Sequence, residues 1–374
     1  MSIIYAFPEP LPLNRARGLQ AVSTVAALGR AGVRVEFAFV PVAGLDPFDH
    51  YGVSRPENVR LVPISRALPW PLSRIHSNRF FFRNLRKHFG AELCRHAVLV
   101  RHLKLAALVA ENLPAASMVY EAHEVFGDTS TASRKEGNRA LERRIMTSSR
   151  AVIANSEATA RRLKELYPSP ANLAVIPNGV DRPEQLPDKP WAELRRHLIY
   201  AGSFFPWKGA AELIRAVGQL PGYRLTMIGG DEARIGELKR EVQEEGAEVV
   251  FTGHVPHVQV MSRLSVACIA VLPNRDDTDS SFTSPIKLFE YMATGCAIVA
   301  SDLPALREIL DDGDAIWVRP GDAAALAAGI RRLGEDASLA ADLGQRVRSK
   351  SAGYSWDARA AKLLAVLGER AAAP

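Results

Sequence analysis

The sequence predicts two doubly wound α/β domains with mostly parallel sheets, and three observations carry that prediction. The chain has 374 residues, too long for one ordinary domain and about right for two of roughly 150–200 residues each. It is 47% hydrophobic and 24% charged, with a mean hydropathy of −0.04, which describes a chain able to bury a sizeable core. Short apolar runs alternate with helical patterns, and they do so twice over, as strands joined by helical crossovers do. Disorder, collagen and coiled coil are excluded as whole-chain readings.

In the first half the strand runs are Ile3–Phe7, Val33–Val40, Val59–Pro63, Ala97–Arg101, Ser117–Glu121, Ala151–Asn155 and Leu173–Ile176. Helical patterns such as Leu19–Arg30 and Ala158–Leu166 lie between them. The second half repeats the alternation with Leu198–Ala201, Arg224–Ile228, Glu248–Thr252, Ala267–Leu272, Ala297–Ala300 and Ala315–Val318. The break falls at Asp181–Pro190, where three prolines and several charges interrupt the pattern. The expected domains are therefore 1–182 and 183–374, with the last helical segment, Trp356–Glu369, free to pack back on the first. Open α/β domains bind ligands outside the carboxyl ends of their strands. Two such domains facing each other predict a central cleft, with its chemistry at strand ends on both sides.

Only three cysteines occur, Cys94, Cys268 and Cys296, without paired spacing. They build neither a disulfide scaffold nor a zinc knuckle, and a reducing compartment is the default. The N-terminus lacks a basic region ahead of its short apolar run, and the longest apolar stretches fall far short of the ~20 residues of a spanning helix. A cytoplasmic location is expected.

The charge is uneven. Up to Glu184 there are 25 Lys+Arg against 16 Asp+Glu, and after it 22 against 25. Much of the excess lies in Ser73–His96, where Arg74, Arg79, Arg83, Arg86, Lys87 and Arg95 meet one acid, Glu92. Phe80, Phe81, Phe82 and Phe89 interleave with them. Two readings of this segment stand: a surface for an anionic partner such as a membrane, or a solvated helix face whose phenylalanines fill the core.

Ser284 and Pro285 predict a helix start, with Ser284 as N-cap and Pro285 in the first turn. The free N–H groups there, around Pro285, Ile286 and Lys287, suit a phosphate. Lys287 sits in that turn, Glu290 three residues on is placed to accept from a ribose, and Gly295 ends the helix. In Tyr200-Ala-Gly-Ser-Phe-Phe-Pro-Trp-Lys-Gly209 a strand ends in a glycine loop, and Lys208 points at the same strand-end region. Val249-Val-Phe-Thr-Gly-His-Val255 runs from a strand into a glycine turn whose backbone could face a flat base. Asp277-Thr278-Asp279 has the look of a manganese site, but it stands in a polar stretch and two lysines already serve a phosphate. No metal and no cofactor are expected.

Taken together these segments resemble the retaining glycosyltransferases of family 4. The resemblance rests on Asn155-Ser-Glu, Val175-Ile-Pro-Asn-Gly-Val-Asp181, Lys208-Gly209, Phe251-Thr-Gly-His-Val255, Glu290-Tyr-Met-Ala-Thr-Gly295 and Ala300-Ser-Asp302. Arg15-Ala-Arg-Gly18 and Tyr120-Glu-Ala-His-Glu124 agree more loosely. The resemblance implies the GT-B fold, two facing Rossmann-like domains, with acceptor-side chemistry in the first and the nucleotide-sugar donor in the second. It implies that Glu290 holds the donor ribose, that Lys208 neutralises the diphosphate, and that the N–H groups around Ser284, Pro285, Ile286 and Lys287 cradle it. His254 and Val255 would meet the base, His123 would lie beside the transferred sugar, and Gly18 would let the backbone approach the donor. Two positions depart from the family's pattern: Phe282 replaces a common Glu and Ser203 a common Arg. The Ser-Pro-x-Lys-x-x-Glu-Tyr-Met pattern marks a branch in which Lys208 and Lys287 are the main phosphate charges.

The implied function is transfer of a sugar from a UDP- or GDP-linked donor to an acceptor hydroxyl, with retention, in polysaccharide or glycolipid assembly. A glycan or lipid-linked glycan acceptor is expected, with peripheral contact to an anionic membrane through Ser73–His96 and no nucleic acid. The alternatives are an epimerase or phosphorylase on the same fold, and a basic protein that binds lipid or nucleic acid without catalysis. A dinucleotide oxidoreductase is disfavoured because no strand leads into Gly-x-Gly-x-x-Gly.

Overall fold

A computed structural model describes residues 2–68, 74–113, 118–168, 172–242, 246–282 and 284–368. Ser73, Ser117 and Glu369, each the end of a segment named above, lie outside these residues, as does the side chain of Asp279. The chain divides into two units. The first runs to Asn178 and resumes at Trp356; the second is Gly179–Ser355.

In the first unit the apolar runs become β1 (Ser2–Leu11), β2 (Arg34–Pro41), β3 (Val59–Pro63), β4 (Ala97–Val100), β5 (Met118–Ala122), β6 (Ala151–Ala154) and β7 (Leu173–Val175). They pair in the order β3-β2-β1-β4-β5-β6-β7, every neighbour parallel. Most strands are nearly continuous apolar runs because helices cover both faces of such a sheet. The chain builds outward from β1 in one direction and from β4 in the other, so β1 and β4 flank the topological switch point.

The second unit repeats this plan with β8 (His197–Ala201), β9 (Arg224–Ile228), β10 (Glu248–Gly253), β11 (Ile269–Leu272), β12 (Ala297–Ser301) and β13 (Ala315–Val318). Their order is β10-β9-β8-β11-β12-β13, again all parallel. The switch point falls between β8 and β11. Successive side chains of a strand point to opposite faces, and β8 shows it: Leu198 and Tyr200 join one buried cluster, Ile199 and Ala201 the other.

The helix Trp356–Gly368 belongs to the first unit, where Trp356, Arg359, Ala360, Leu363 and Leu367 are buried. It packs on the helix Ala16–Arg30, with Asp357 accepting from Arg30 Nε at 2.8 Å. In the basic segment a helix spans Asn78–Phe89, its start held by the Ser77 hydroxyl accepting from the Arg79 amide. Phe81, Phe82, Leu85 and Phe89 are buried. Phe80 is half-buried under the Arg83 guanidinium, 4.2 Å from its ring centroid. The phenylalanines thus serve the core, while Arg74, Arg79, Arg83, Arg86, Lys87 and Arg95 stay exposed. Among the described residues no helix is long and apolar enough to cross a membrane.

Candidate functional site

In the second unit, glycines let the backbone close up at the carboxyl ends of three neighbouring strands. The Gly202 amide, after β8, donates to the Ile228 carbonyl at 2.9 Å, and the Gly229 amide, after β9, donates to the Gly253 carbonyl at 2.8 Å. Gly229 has φ +107°, and a Cβ there would lie 2.3 Å from the Gly202 carbonyl oxygen. The Gly202 and Gly253 turns are legible in the sequence; the role of Gly229 emerges only when the strands are paired.

The two loops at the switch point are locked to each other. Gly209 has φ +73°, and a Cβ on it would sit 1.7 Å from the Pro273 carbonyl oxygen, so only glycine fits. The Trp207 carbonyl accepts from the Arg275 amide at 2.9 Å. Between these contacts lies Lys208, half-buried, its Nζ 3.6 Å from the centroid of the Trp207 ring. Ser203, also half-buried, accepts on its carbonyl from the Tyr200 hydroxyl at 2.9 Å.

The helix beyond β11 spans Ile286–Ala293, one residue later than the sequence suggests. Pro285, not Ser284, is the N-cap: its ψ of 118° keeps it outside the helix, while its carbonyl accepts from the Leu288 amide at 2.9 Å. Proline has no side-chain acceptor, so the N-cap residue itself gives this helix no side-chain hydrogen bond, although the first N–H groups of a helix have no partner within it. Ser284 is itself buried. Tyr291 ties the helix to β8 by accepting from the Ala201 amide at 2.8 Å.

Lys287 is 8% exposed, and its buried Nζ makes no hydrogen bond among the described residues; it lies 4.1 Å from the centroid of the Tyr200 ring. Burial first, and the nearby Lys208 second, push its pKa well below the ordinary lysine range, with Glu290 partly opposing them. Glu290 is buried on the same helix and its Oε1 lies 2.7 Å from Nε2 of His257. His257 opens the helix His257–Val266. It was missed in the sequence, although it stands three residues after His254. Of the base-side candidates, His254 is exposed and Val255 is half-buried against the core. Phe282 is buried.

The first unit has its own polar centre beside its switch point. Glu121, near the end of β5, is 1% exposed and accepts from the Tyr5 hydroxyl at 3.1 Å, from Gln20 Nε2 at 2.8 Å and from the Arg359 guanidinium. Gln20 in turn accepts from Arg101, just after β4, at 2.6 Å. His123 follows β5 with its side chain 15% exposed and Nε2 3.4 Å from Glu121 Oε1. Burial first, then Arg101, push its pKa down to about 4, against the pull of Glu121. Gly18 is small for a reason internal to the unit: a Cβ there would lie 2.1 Å from the Tyr51 hydroxyl. That hydroxyl bonds both the carbonyl and the amide of Leu13.

Comparison with known proteins agrees with this architecture. Residues 19–183 match the family model "Glycosyltransferase Family 4", and residues 195–336 match "Glycosyl transferases group 1". The chain is 32% identical over 207 residues to a phosphatidyl-myo-inositol mannosyltransferase of Mycolicibacterium smegmatis, covering 52% of each. It thus spans about half the length of that curated relative. Among solved structures, the sucrose-phosphate synthase from Thermosynechococcus elongatus superposes with a TM-score of 0.78 over 100% of both chains at 18% identity. Anabaena HepE, solved with UDP-glucose, gives 0.73 over 99% of this chain and 100% of its own at 16% identity. The two units therefore match two glycosyltransferase family models in succession, and each is a Rossmann-like parallel sheet of the GT-B class.

Proposed function

We propose that this chain is a retaining glycosyltransferase of the hexosyltransferase type. Its donor is a UDP- or GDP-linked sugar and its acceptor a hydroxyl on a glycan or lipid-linked glycan, in cell-surface polysaccharide or glycolipid assembly. The observation that carries the reading is Lys287, a buried amine without a hydrogen-bond partner among the described residues, beside Lys208 and in the first turn of a helix at a switch point. Burying a charge without a partner is costly, and a diphosphate supplies the missing acceptor. Glu290 then accepts from the ribose, the backbone at His254 and Val255 meets the base, and His123 lies beside the sugar.

In this reading the bond from the anomeric carbon to the diphosphate oxygen breaks, and the acceptor oxygen bonds to that carbon on the same face. The acceptor's proton passes to the departing phosphate oxygen. Negative charge grows on the diphosphate as it leaves, so Lys208 and Lys287 stabilise the transition state more than the bound donor. They do so without a metal ion. The experiment is a thermal-shift screen with UDP, GDP, ADP and their sugars, followed by NMR of the product's anomeric coupling. A ligand at about 100 times its Kd stabilises by roughly 2.7 kcal/mol. No shift with any nucleotide overturns the reading, and an inverted product overturns retention.

The exposed basic face of Asn78–Phe89 supports a second part of the reading: peripheral, salt-sensitive contact with an anionic bilayer or a lipid-pyrophosphate carrier. Each cation near such a surface contributes about 1 kcal/mol, and salt screens the attraction. Sedimentation with anionic vesicles should capture the chain at low salt and release it at high salt. Changing Arg79, Arg83, Arg86 and Lys87 together to Gln should abolish capture; equal binding by that variant assigns the face to solvent.

A further inference from the structure

Arg359 lies outside both matched ranges, yet it is 3% exposed beside the polar centre of the first unit. One guanidinium nitrogen donates to the carbonyls of Ile176 at 2.6 Å and Pro177 at 2.8 Å; another donates to Glu121. Tyr5 from β1 and Gln20 from the first helix hold the rest of that carboxylate. Burial alone would raise the Glu121 pKa; Arg359, then His123 and Arg101, outweigh it and hold the carboxyl well below the usual range. Glu121 is therefore an anion at neutral pH, fixed by donors from three separate parts of the chain.

Its fourth neighbour is the His123 imidazole. Nε2 of that ring is buried without a well-formed hydrogen bond, 3.4 Å from the anionic oxygen. The ring is neutral at pH 7 and carries one proton, which either nitrogen can hold. A lone pair facing the carboxylate is repelled and an N–H is attracted, so the field of Glu121 selects the tautomer.

We propose that Arg359 is a positioning residue: by fixing the Glu121 carboxylate beside His123 it sets the Nε2–H tautomer, leaving Nδ1 as an acceptor for a hydroxyl of the bound sugar. The last clause rests on the glycosyltransferase reading; the tautomer does not. The role falls to a residue of the final helix, which brings its cation to a carboxylate 238 positions earlier.

The test is ¹⁵N NMR of the imidazole nitrogens in the full chain at pH 7, with His123 assigned by its loss in His123→Asn. The wild type should show a protonated Nε2 and an unprotonated Nδ1. Arg359→Met should move the ring toward Nδ1–H, because Glu121 is no longer held as an anion, and Arg359→Lys should restore Nε2–H. In sugar transfer, Arg359→Met should lower kcat by about 10–10²-fold, the scale of a misplaced group, with donor KM within about twofold; the Lys variant should recover part of it. A wild-type ring protonated at Nδ1 overturns the proposal, and that measurement needs no variant to fold. So does an Arg359→Met chain that keeps both Nε2–H and its kcat. A chain with the expected tautomer and no transfer activity keeps Arg359 as the positioning residue and overturns the proposed function instead.

Discussion

The two switch points share one backbone plan and treat charge in opposite ways. Beside β1 and β4 the charged groups are hydrogen-bonded within the unit: Arg359 donates to Glu121, and Arg101 to the side-chain amide oxygen of Gln20. Beside β8 and β11 two lysines converge, and the deeper one, Lys287, makes no hydrogen bond among the described residues. The hydrogen-bonded centre presents a neutral group, here His123. The other leaves a buried amine free to meet an anion. The difference teaches that one backbone plan can hold its cations in hydrogen bonds to its own acceptors or leave a buried cation for an anionic ligand.

The largest effect should come from unbalancing the first centre. Glu121→Ala leaves Arg359 buried and unpaired, at a cost of about 3–5 kcal/mol in stability. Adding Arg359→Met should return part of that loss, because no buried ion is then left without its counter-charge. Denaturant melts of the two variants read it directly; a double variant no more stable than Glu121→Ala alone would show that the carboxylate's other bonds, to Tyr5 and Gln20, dominate.

In the second centre, Lys208→Ala should lower kcat by about 10²–10³-fold, the scale for one electrostatic donor to a developing charge. Steady-state kinetics separate this from ground-state anchoring, in which KM rises while kcat holds. Glu290→Ala should weaken donor binding by roughly 1.5–3 kcal/mol for each charge-assisted bond lost, with the fold intact. Unchanged kinetics in a folded variant remove the ribose from Glu290 and leave it as the partner of His257.

The smallest effect concerns protons. Lys287 has a lowered pKa in the ligand-free fold, so over the interval up to the ordinary lysine range the unfolded chain binds the extra proton. This group's contribution to stability therefore rises with pH across that interval. Ligand affinity should run the other way: a diphosphate restores the charge, binding takes up a proton, and affinity falls by at most about tenfold per pH unit. Titration calorimetry in buffers of different ionisation enthalpy measures the uptake, and Lys287→Met should abolish it. Zero uptake in the wild type would mean that Lys287 is already charged without ligand.

The elements themselves are written locally. Strands such as Val59–Pro63 and Arg224–Ile228 end where their apolar runs end, because a strand covered on both faces needs an unbroken run. Lys208, Lys287 and Glu290 are legible for the same reason: a strand, a turn and a helix start place them by short-range rules. The one-residue error at Ser284 arose because a proline that caps and a proline in the first turn share a φ and differ only in ψ, which packing sets.

What the tertiary structure alone decided are contacts between residues far apart in the chain. Composition places Phe80, Phe81 and Phe82 on a basic helix, but only the packing of Asn78–Phe89 shows which of them fill the core. Gly18 has its reason in Tyr51 and Glu290 its neighbour in His257, each set by another element's approach. Arg359 is the extreme case. In the sequence it is one more arginine on an amphipathic helix; its chemistry appears when that helix docks and the cation meets a carboxylate 238 residues earlier. Periodicity reports what lies within a few residues, whereas the partner of a buried charge is chosen by the fold as a whole.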